Sequence, residues 1–185
     1  MSSLGKIRII GGKWRGRKID VVNADGLRPS PDRTRETLFN WLQGKIKGAR
    51  CLDLFAGSGI LGFEALSRGA SEVLTVELNT IIAGSLRKTS KILQSDAHKI
   101  VCQDALSIAE ENLGNFDLIF LDPPFNHGYV EKCCQMIIEN SLLKSDGVIY
   151  IESEKNLKIP SNFIINKIVQ TGQVQSVLAK MHKET

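Results

Sequence analysis

From Arg50 onward the sequence repeats one rhythm: a short, nearly unbroken apolar run, a turn, then a longer stretch with its apolar residues on one helical face. CLDLF precedes a helix through Ala65 and Leu66, EVLTVE a helix through Ile81, Ile82, Leu86 and Leu93, and KIVCQ a short helix after Asp104. FDLIFLDPPF then leads into a helix where Val130, Cys133, Cys134, Ile137 and Ile138 recur at i, i+3, i+4, i+7 and i+8, so both adjacent cysteines face the core. GVIYIES makes a fifth strand, and residues 163 to 181 a final strand pair. Strands that are apolar on both sides must be covered on both faces. The pattern therefore predicts an α/β fold with a mostly parallel sheet and helices on both faces.

Ahead of that rhythm, residues 6 to 22 alternate around GGKWRGR as a β-hairpin carrying Lys13, Arg15, Arg17 and Lys18. In GLRPSPDRTRETLFNWL, Ser30 is suited to cap a helix with Pro31 at its first position and Asp32 in its first turn; Leu38, Trp41 and Leu42 form the apolar stripe, and Gly44 and Gly48 end it. The expected organisation is a basic hairpin and helix extension over residues 1–48, packed on a main domain over residues 49–185. Residues 1 to 50 hold 12 Lys+Arg against 4 Asp+Glu, a net of +8, whereas residues 51 to 185 hold 12 against 16, a net of −4. A cationic front suits a polyanionic partner, since neutralising phosphates supplies most sequence-independent nucleic-acid affinity. Charge alone is equally compatible with a solvated basic face.

Several classes are excluded. Lys, Arg, Asp or Glu interrupts every apolar run well short of the ~18 residues a membrane span needs. The basic start lacks a long apolar core and a small-residue cleavage site, so no secretory signal is expected, and Ile7, Ile9 and Gly11-Gly12 read as strand and turn rather than as a presequence helix. Cys51, Cys102, Cys133 and Cys134 show no CxxC spacing; reduced thiols in a cytoplasmic protein are the expectation.

The first chemical motif is DLFAGSGILG, residues 53 to 62, at the turn from first parallel strand to helix. Gly57, Gly59 and Gly62 fit GxGxxG, and Glu77 ends the next strand 20 residues after Gly57, where a ribose-binding acid is expected. A nucleoside cofactor fits; otherwise this is a tight turn beside an exposed acid. NAD and S-adenosylmethionine both use such a turn. Asp53 bears on the choice, because a carboxylate there would repel a pyrophosphate yet suits the ammonium and sulfonium of S-adenosylmethionine. Asp104 is placed to accept from the adenine amine, with the Ala105 N–H near the ring, or to cap the turn that follows it.

The second motif is DPPF, Asp122, Pro123, Pro124 and Phe125, ending the apolar strand FDLIFL at the sheet edge where open α/β sheets bind ligands. Two prolines fix φ and remove two N–H donors, leaving a rigid corner that presents a carboxylate and carbonyls, all acceptors. Accepting both hydrogens of a planar exocyclic amine, one on Asp122 and one on the Pro123 carbonyl, favours a pyramidal nitrogen whose lone pair can attack a methyl sulfonium. Phe125 is suited to stack on the base, and positioning supplies most of the catalysis. Adenine N6, cytosine N4 and a protein glutamine amide present the same kind of nitrogen.

DLFAGSGILGFEALSRGA, TVELN and LDPPF, with the upstream GLRPSPDRTRETLFNWL and RIIGGKWRGR, together resemble the bacterial small-subunit ribosomal RNA guanine-N2 methyltransferase family over essentially the whole chain. The resemblance implies a Rossmann-like class I S-adenosylmethionine-dependent methyltransferase acting on N2 of one guanine of 16S rRNA, guanine 966 in the family, on assembled or nearly assembled 30S particles. Carried onto this sequence, it puts Gly57 and Gly59 under the cofactor beside Asp53, Phe55 and Leu78, Glu77 on its ribose, Asp104 and Ala105 at its adenine, and Asp122 to Phe125 at the target amine. It further implies that Arg28, Arg33 and Arg35 grip RNA near the entrance; the charge of the hairpin adds Lys13, Arg15 and Arg17 as further expected RNA contacts. Ser30 stands where the family commonly has Thr.

Other residues carry less. His127 reads as a loop histidine that can touch substrate, and His98 and His182 lie far from any Cys or acid cluster, so no metal is expected. Trp14 either stacks on a base or packs on its own domain, and Trp41 belongs to the helix stripe. A monomer is the default. An NAD-dependent oxidoreductase, or an RNA-binding module without transferase activity, would leave DPPF without a role.

Overall fold

The computed structural model describes residues 3–22, 30–108 and 113–182. A hairpin of β1 (Ser3–Arg8) and β2 (Lys18–Val22), joined through a 3₁₀ turn at Gly12–Trp14, leads to α1 (Asp32–Trp41). The main sheet follows as β3 (Arg50–Asp53), α2 (Ile60–Ser67), β4 (Glu72–Val76), α3 (Thr80–Ile92), β5 (His98–Val101), β6 (Phe116–Leu121), α4 (Tyr129–Glu139), β7 (Leu143–Glu154), β8 (Phe163–Thr171) and β9 (Val174–Met181). Its strand order is β5-β4-β3-β6-β7-β9-β8, with the first five strands parallel and the last pair antiparallel. The expected α/β architecture is what the chain adopts.

The unbroken apolar runs have a direct cause. In β6, Leu118 and Phe120 enter the core shared with α1, α2, α3 and the hairpin, while Ile119 and Leu121 enter the opposite core beneath α4. Each such side chain contributes roughly 1.5–3 kcal/mol by leaving water, which a sheet wetted on one face would forfeit at alternate positions. Cys133 and Cys134 both lie in the α4 core, as the helical spacing requires. The extension shares the other core: Ile9, Trp14, Ile19, Leu38, Phe39 and Leu42 pack with Phe63, Leu66 and Phe120.

The hairpin is fastened to α2 by backbone. Ser67 Oγ accepts from the Trp14 amide at 2.9 Å and donates to the Gly11 carbonyl at 2.5 Å. Gly12 sits at φ +73, and a Cβ there would collide with the Ser67 carbonyl, so only glycine permits this approach. Trp14 is thereby buried against its own domain, with the Lys13 ammonium 4.3 Å from its ring centre, and is not a free platform for a base.

The start of α1 differs from expectation. Pro31, at ψ 150, is the N-cap, and no side chain caps the helix. A residue before proline is driven to extended backbone, and here the Ser30 hydroxyl turns to Asp122 instead. After Asp104 the chain makes a turn over residues 105–108; the rest of the short helix expected there lies at 109–112, outside the described residues.

Candidate active site

Strand order reverses between β3 and β6: β4 and β5 lie to one side, β6 and β7 to the other. Open sheets have their ligand crevice at such a switch, beyond the carboxyl ends of the strands. Both motifs arrive there. Asp53 ends β3 opposite Phe120, and Asp122 follows β6 two residues later.

On the β3 side the glycine turn is tightly held. Gly57 and Gly59 have φ of 50 and 72, and a Cβ on Gly59 would run into Leu86 Cδ2. Glu77 spans two loops: one carboxylate oxygen accepts from the Gly57 amide at 2.9 Å, the other from the Asn79 amide at 2.8 Å. Asn79 in turn caps α3 through the amides of Ile81 and Ile82. Each Glu77 oxygen keeps a second acceptor direction, as two ribose hydroxyls need. Beside it, Leu78 is 66% exposed, an apolar side chain with open space above it. Asp104 is half-buried and caps its turn, one oxygen accepting from the Leu106 amide at 2.7 Å, while Ala105 is buried below. The capping role read from sequence is thus realised. Phe55 meets Tyr129 edge-on at 5.3 Å, tying the glycine turn to the segment after the DPPF corner.

On the β6 side Asp122 is half-buried, Pro123 buried, Pro124 exposed and Phe125 half-buried. Burial, then repulsion by Glu152 and Asp53, holds the Asp122 carboxyl well above the ordinary carboxylate range, opposed only by the Ser30 hydroxyl. Asp53 is pushed up to about 7, by burial first and the Glu77 charge second, although the amides of Gly62 and Phe55 favour its ionised form. Its Oδ2 is buried with no hydrogen-bond partner. No ion pair among the described residues involves Asp53, Glu77, Asp104, Asp122 or Glu152. Carboxylates this close with no cation among them make a crevice complementary to a positively charged ligand. The ammonium and sulfonium of S-adenosylmethionine fit that requirement, and a pyrophosphate does not.

Sequence reasoning missed two partners of the corner, Ser30 and Glu152. Glu152 had a signal: a glutamate inside GVIYIES, where a parallel strand should be apolar, marks a polar function at the strand end. Ser30 had none, because only the fold brings it to Asp122. On the outer side of the corner opens a cavity of about 740 Å³, lined by Pro123, Pro124, Tyr129, Ile138 and Leu157 among others.

The basic residues divide. Lys13, Arg15, Arg17 and Arg33 are exposed, and Arg28 lies outside the described residues. Arg35 corrects the expectation placed on it. It is fully buried, paired with Glu64 at 2.9 Å and with Asp32, and donates to the carbonyls of Arg8 at 3.0 Å and Ser30 at 3.3 Å, so it cannot reach a phosphate. The reason is helical spacing: Arg35 stands three residues before Leu38 and four before Phe39, on the buried stripe. His98 is likewise structural, its Nε2 2.8 Å from the Thr75 hydroxyl and its ring edge-on to Phe63.

The chain matches, over residues 7–180, the family model described as Conserved hypothetical protein 95. It is 45% identical over 176 residues to ribosomal RNA small subunit methyltransferase D of Haemophilus influenzae, covering 92% of this chain and 91% of that protein. To the protein of the same name from Escherichia coli it is 41% identical over 176 residues, covering 94% and 89%. Among solved structures, that of yhhF from Escherichia coli, described as a methyltransferase, superposes with a TM-score of 0.89 at 39% identity, over 97% of this chain and 100% of that one. With a class I methyltransferase sheet, a glycine turn and a DPPF corner in one crevice, and identity running from the hairpin to the last strand, the chain belongs to the ribosomal RNA small subunit methyltransferase D family.

Proposed function

We propose that the protein methylates the exocyclic N2 amine of a guanine in 16S rRNA, guanine 966 in the family, presented by the 30S subunit, with S-adenosylmethionine as donor. The observation that carries this reading is the meeting of the Asp122 corner and the Gly57–Gly59 turn at one switch point, on a chain whose relatives are named ribosomal RNA small subunit methyltransferase D. The cofactor supplies an activated methyl group. Gly57 and Gly59 leave room for it, Asp53 faces its positive charge, Glu77 accepts from its ribose, Asp104 and Ala105 meet its adenine, and Phe55 and Leu78 cover its apolar surfaces.

At the target, Asp122 and the Pro123 carbonyl accept the two amine hydrogens, which localises the nitrogen lone pair, and Phe125 stacks on the base. Proline stiffness limits the entropy lost in holding this geometry. An amine in a base pair or stack is out of reach, so the guanine is met unpaired or extruded. Lys13, Arg15, Arg17 and Arg33, with Arg28 as part of the same set, neutralise RNA phosphates around the entrance. The enzyme works as a monomer in the cytoplasm.

Incubation with labelled cofactor and 30S particles, naked 16S rRNA or duplex DNA tests the reading. Label is expected in the particle, at guanine N2 by mass-spectrometric mapping. Label confined to DNA would overturn it.

A further inference from the structure

Strand β7 brings a second carboxylate to the corner. In the parallel pairing of β6 and β7, Phe120 lies opposite Tyr150 and Leu121 opposite Ile151. Carried one residue on, that register sets Asp122 beside Glu152. Strand alternation places Tyr150 and Glu152 on one face, while Ile149 and Ile151 fill the α4 core on the other. Tyr150 is wholly buried, and its hydroxyl donates to Glu152 Oε1 at 2.6 Å. Ser176, opposite Glu152 on β9, lies beside Tyr150.

Glu152 is only 6% exposed and has no ion-pair partner among the described residues. The groups facing Asp122 are Glu152 and Tyr150 from β7, Asp53 from β3 and the Ser30 hydroxyl from the segment before α1; Glu77 acts through Asp53. None is basic. A buried and a half-buried carboxylate so placed cannot both ionise cheaply, and they titrate as a pair.

We propose that Glu152 is a positioning residue for methyl transfer: it shares one proton with Asp122 and so sets when Asp122 can accept the proton that the methylated nitrogen releases. The inference rests on Asp122 being the acceptor at the target amine. As the new N–C bond forms, the C–S bond breaks and its electron pair goes to sulfur. The nitrogen then carries a methyl group, two hydrogens and a positive charge. One N–H proton passes to Asp122, which restores the lone pair, and leaves to water from the exposed side of Asp122. The Tyr150 hydroxyl favours ionised Glu152, whose charge raises the proton affinity of Asp122, so the one proton of the pair rests on Asp122 at low pH, and once it has left, Asp122 is a stronger acceptor for this step. Burial raises both carboxyls; the Glu152 charge raises Asp122 further, and the Tyr150 hydroxyl draws Glu152 back.

Glu152→Gln tests it, because the amide keeps the shape and still accepts from Tyr150 but cannot ionise. In the ligand-free protein, ¹³C NMR of the aspartate carboxyls follows Asp122 directly. Its half-titration is expected to fall by about one pH unit or more, tenfold in proton affinity. The acid limb of the methylation pH–rate profile should move the same way, with cofactor Kd within a few fold. Tyr150→Phe should shift Asp122 in the same direction by less, since Glu152 without its donor keeps a proton more readily, and it carries the comparison should Glu152→Gln not fold. An unshifted Asp122 titration in folded protein overturns the proposal, and needs no substrate to do so, whatever the target base proves to be. A shifted titration with an unmoved acid limb also overturns it, since Glu152 would then act on Asp122 without acting on the reaction.

Discussion

Arg35 and Glu64 meet at 2.9 Å with neither side chain exposing any surface. The pair joins the extension to α2, the helix that begins at the glycine turn. Glu64 also accepts from the Ile10 amide at 2.5 Å and from Arg68 at 3.1 Å, and Arg35 reaches the Arg8 carbonyl. One buried charge cluster therefore sets the hairpin against the cofactor side of the sheet.

Removing one partner leaves the other charge buried and alone, which costs about 3–5 kcal/mol. Arg35→Ala is expected to lower the melting temperature by roughly ten degrees or more, on the order of what that loss implies for a domain of this size. Thermal denaturation checks this. A melting point near that of the parent protein would mean that Arg35 is not a clamp.

Asp122→Ala should abolish methyl transfer while leaving S-adenosylhomocysteine affinity within a few fold, because the carboxyl faces the target amine. Calorimetry alongside single-turnover methylation separates the two effects. Near-normal turnover would remove Asp122 from the chemistry.

Asp53 makes the ligand-free protein sensitive to pH. Its folded value of about 7 lies above the ordinary 3.8, so the folded state binds the extra proton between those limits. Stability from this group is present at low pH and lost as pH rises from about 4 through 7. Asp53→Asn should thus stabilise the ligand-free protein at pH 8 by a few kcal/mol at most, about 1.4 kcal/mol for every tenfold difference in proton affinity between folded and unfolded chain, and little at pH 4. Cofactor affinity should fall at least tenfold, because the neutral amide no longer faces the ligand's charge. Melting curves at the two pH values, with calorimetry, measure both; equal stabilisation at pH 4 and pH 8 would contradict the assignment.

Replacing exposed Arg15 and Arg33 by alanine should weaken RNA binding and flatten its dependence on salt by roughly one unit of slope for each phosphate no longer neutralised. Cofactor binding should not change. A salt titration of RNA affinity reads the slope directly, and an unchanged one would place the RNA elsewhere.

Local pattern was enough for much of this protein. The period of the apolar residues announced β3 to β7 with α2, α3 and α4, because each must bury a face regardless of its neighbours. DLFAGSG and DPPF announced the two halves of the crevice, because tight turns and stiff corners are properties of consecutive residues. Tertiary structure alone decided the rest. Arg35 counts as one more cation in a basic segment until Glu64, 29 residues away, draws it into the core. Ser30 caps nothing and instead turns to Asp122, and Glu152 joins that carboxyl only through the β6–β7 register. Whether a charged or polar side chain meets solvent, a ligand or another charge depends on groups distant in sequence. A reading along the chain sees the residue, and only packing supplies its partner.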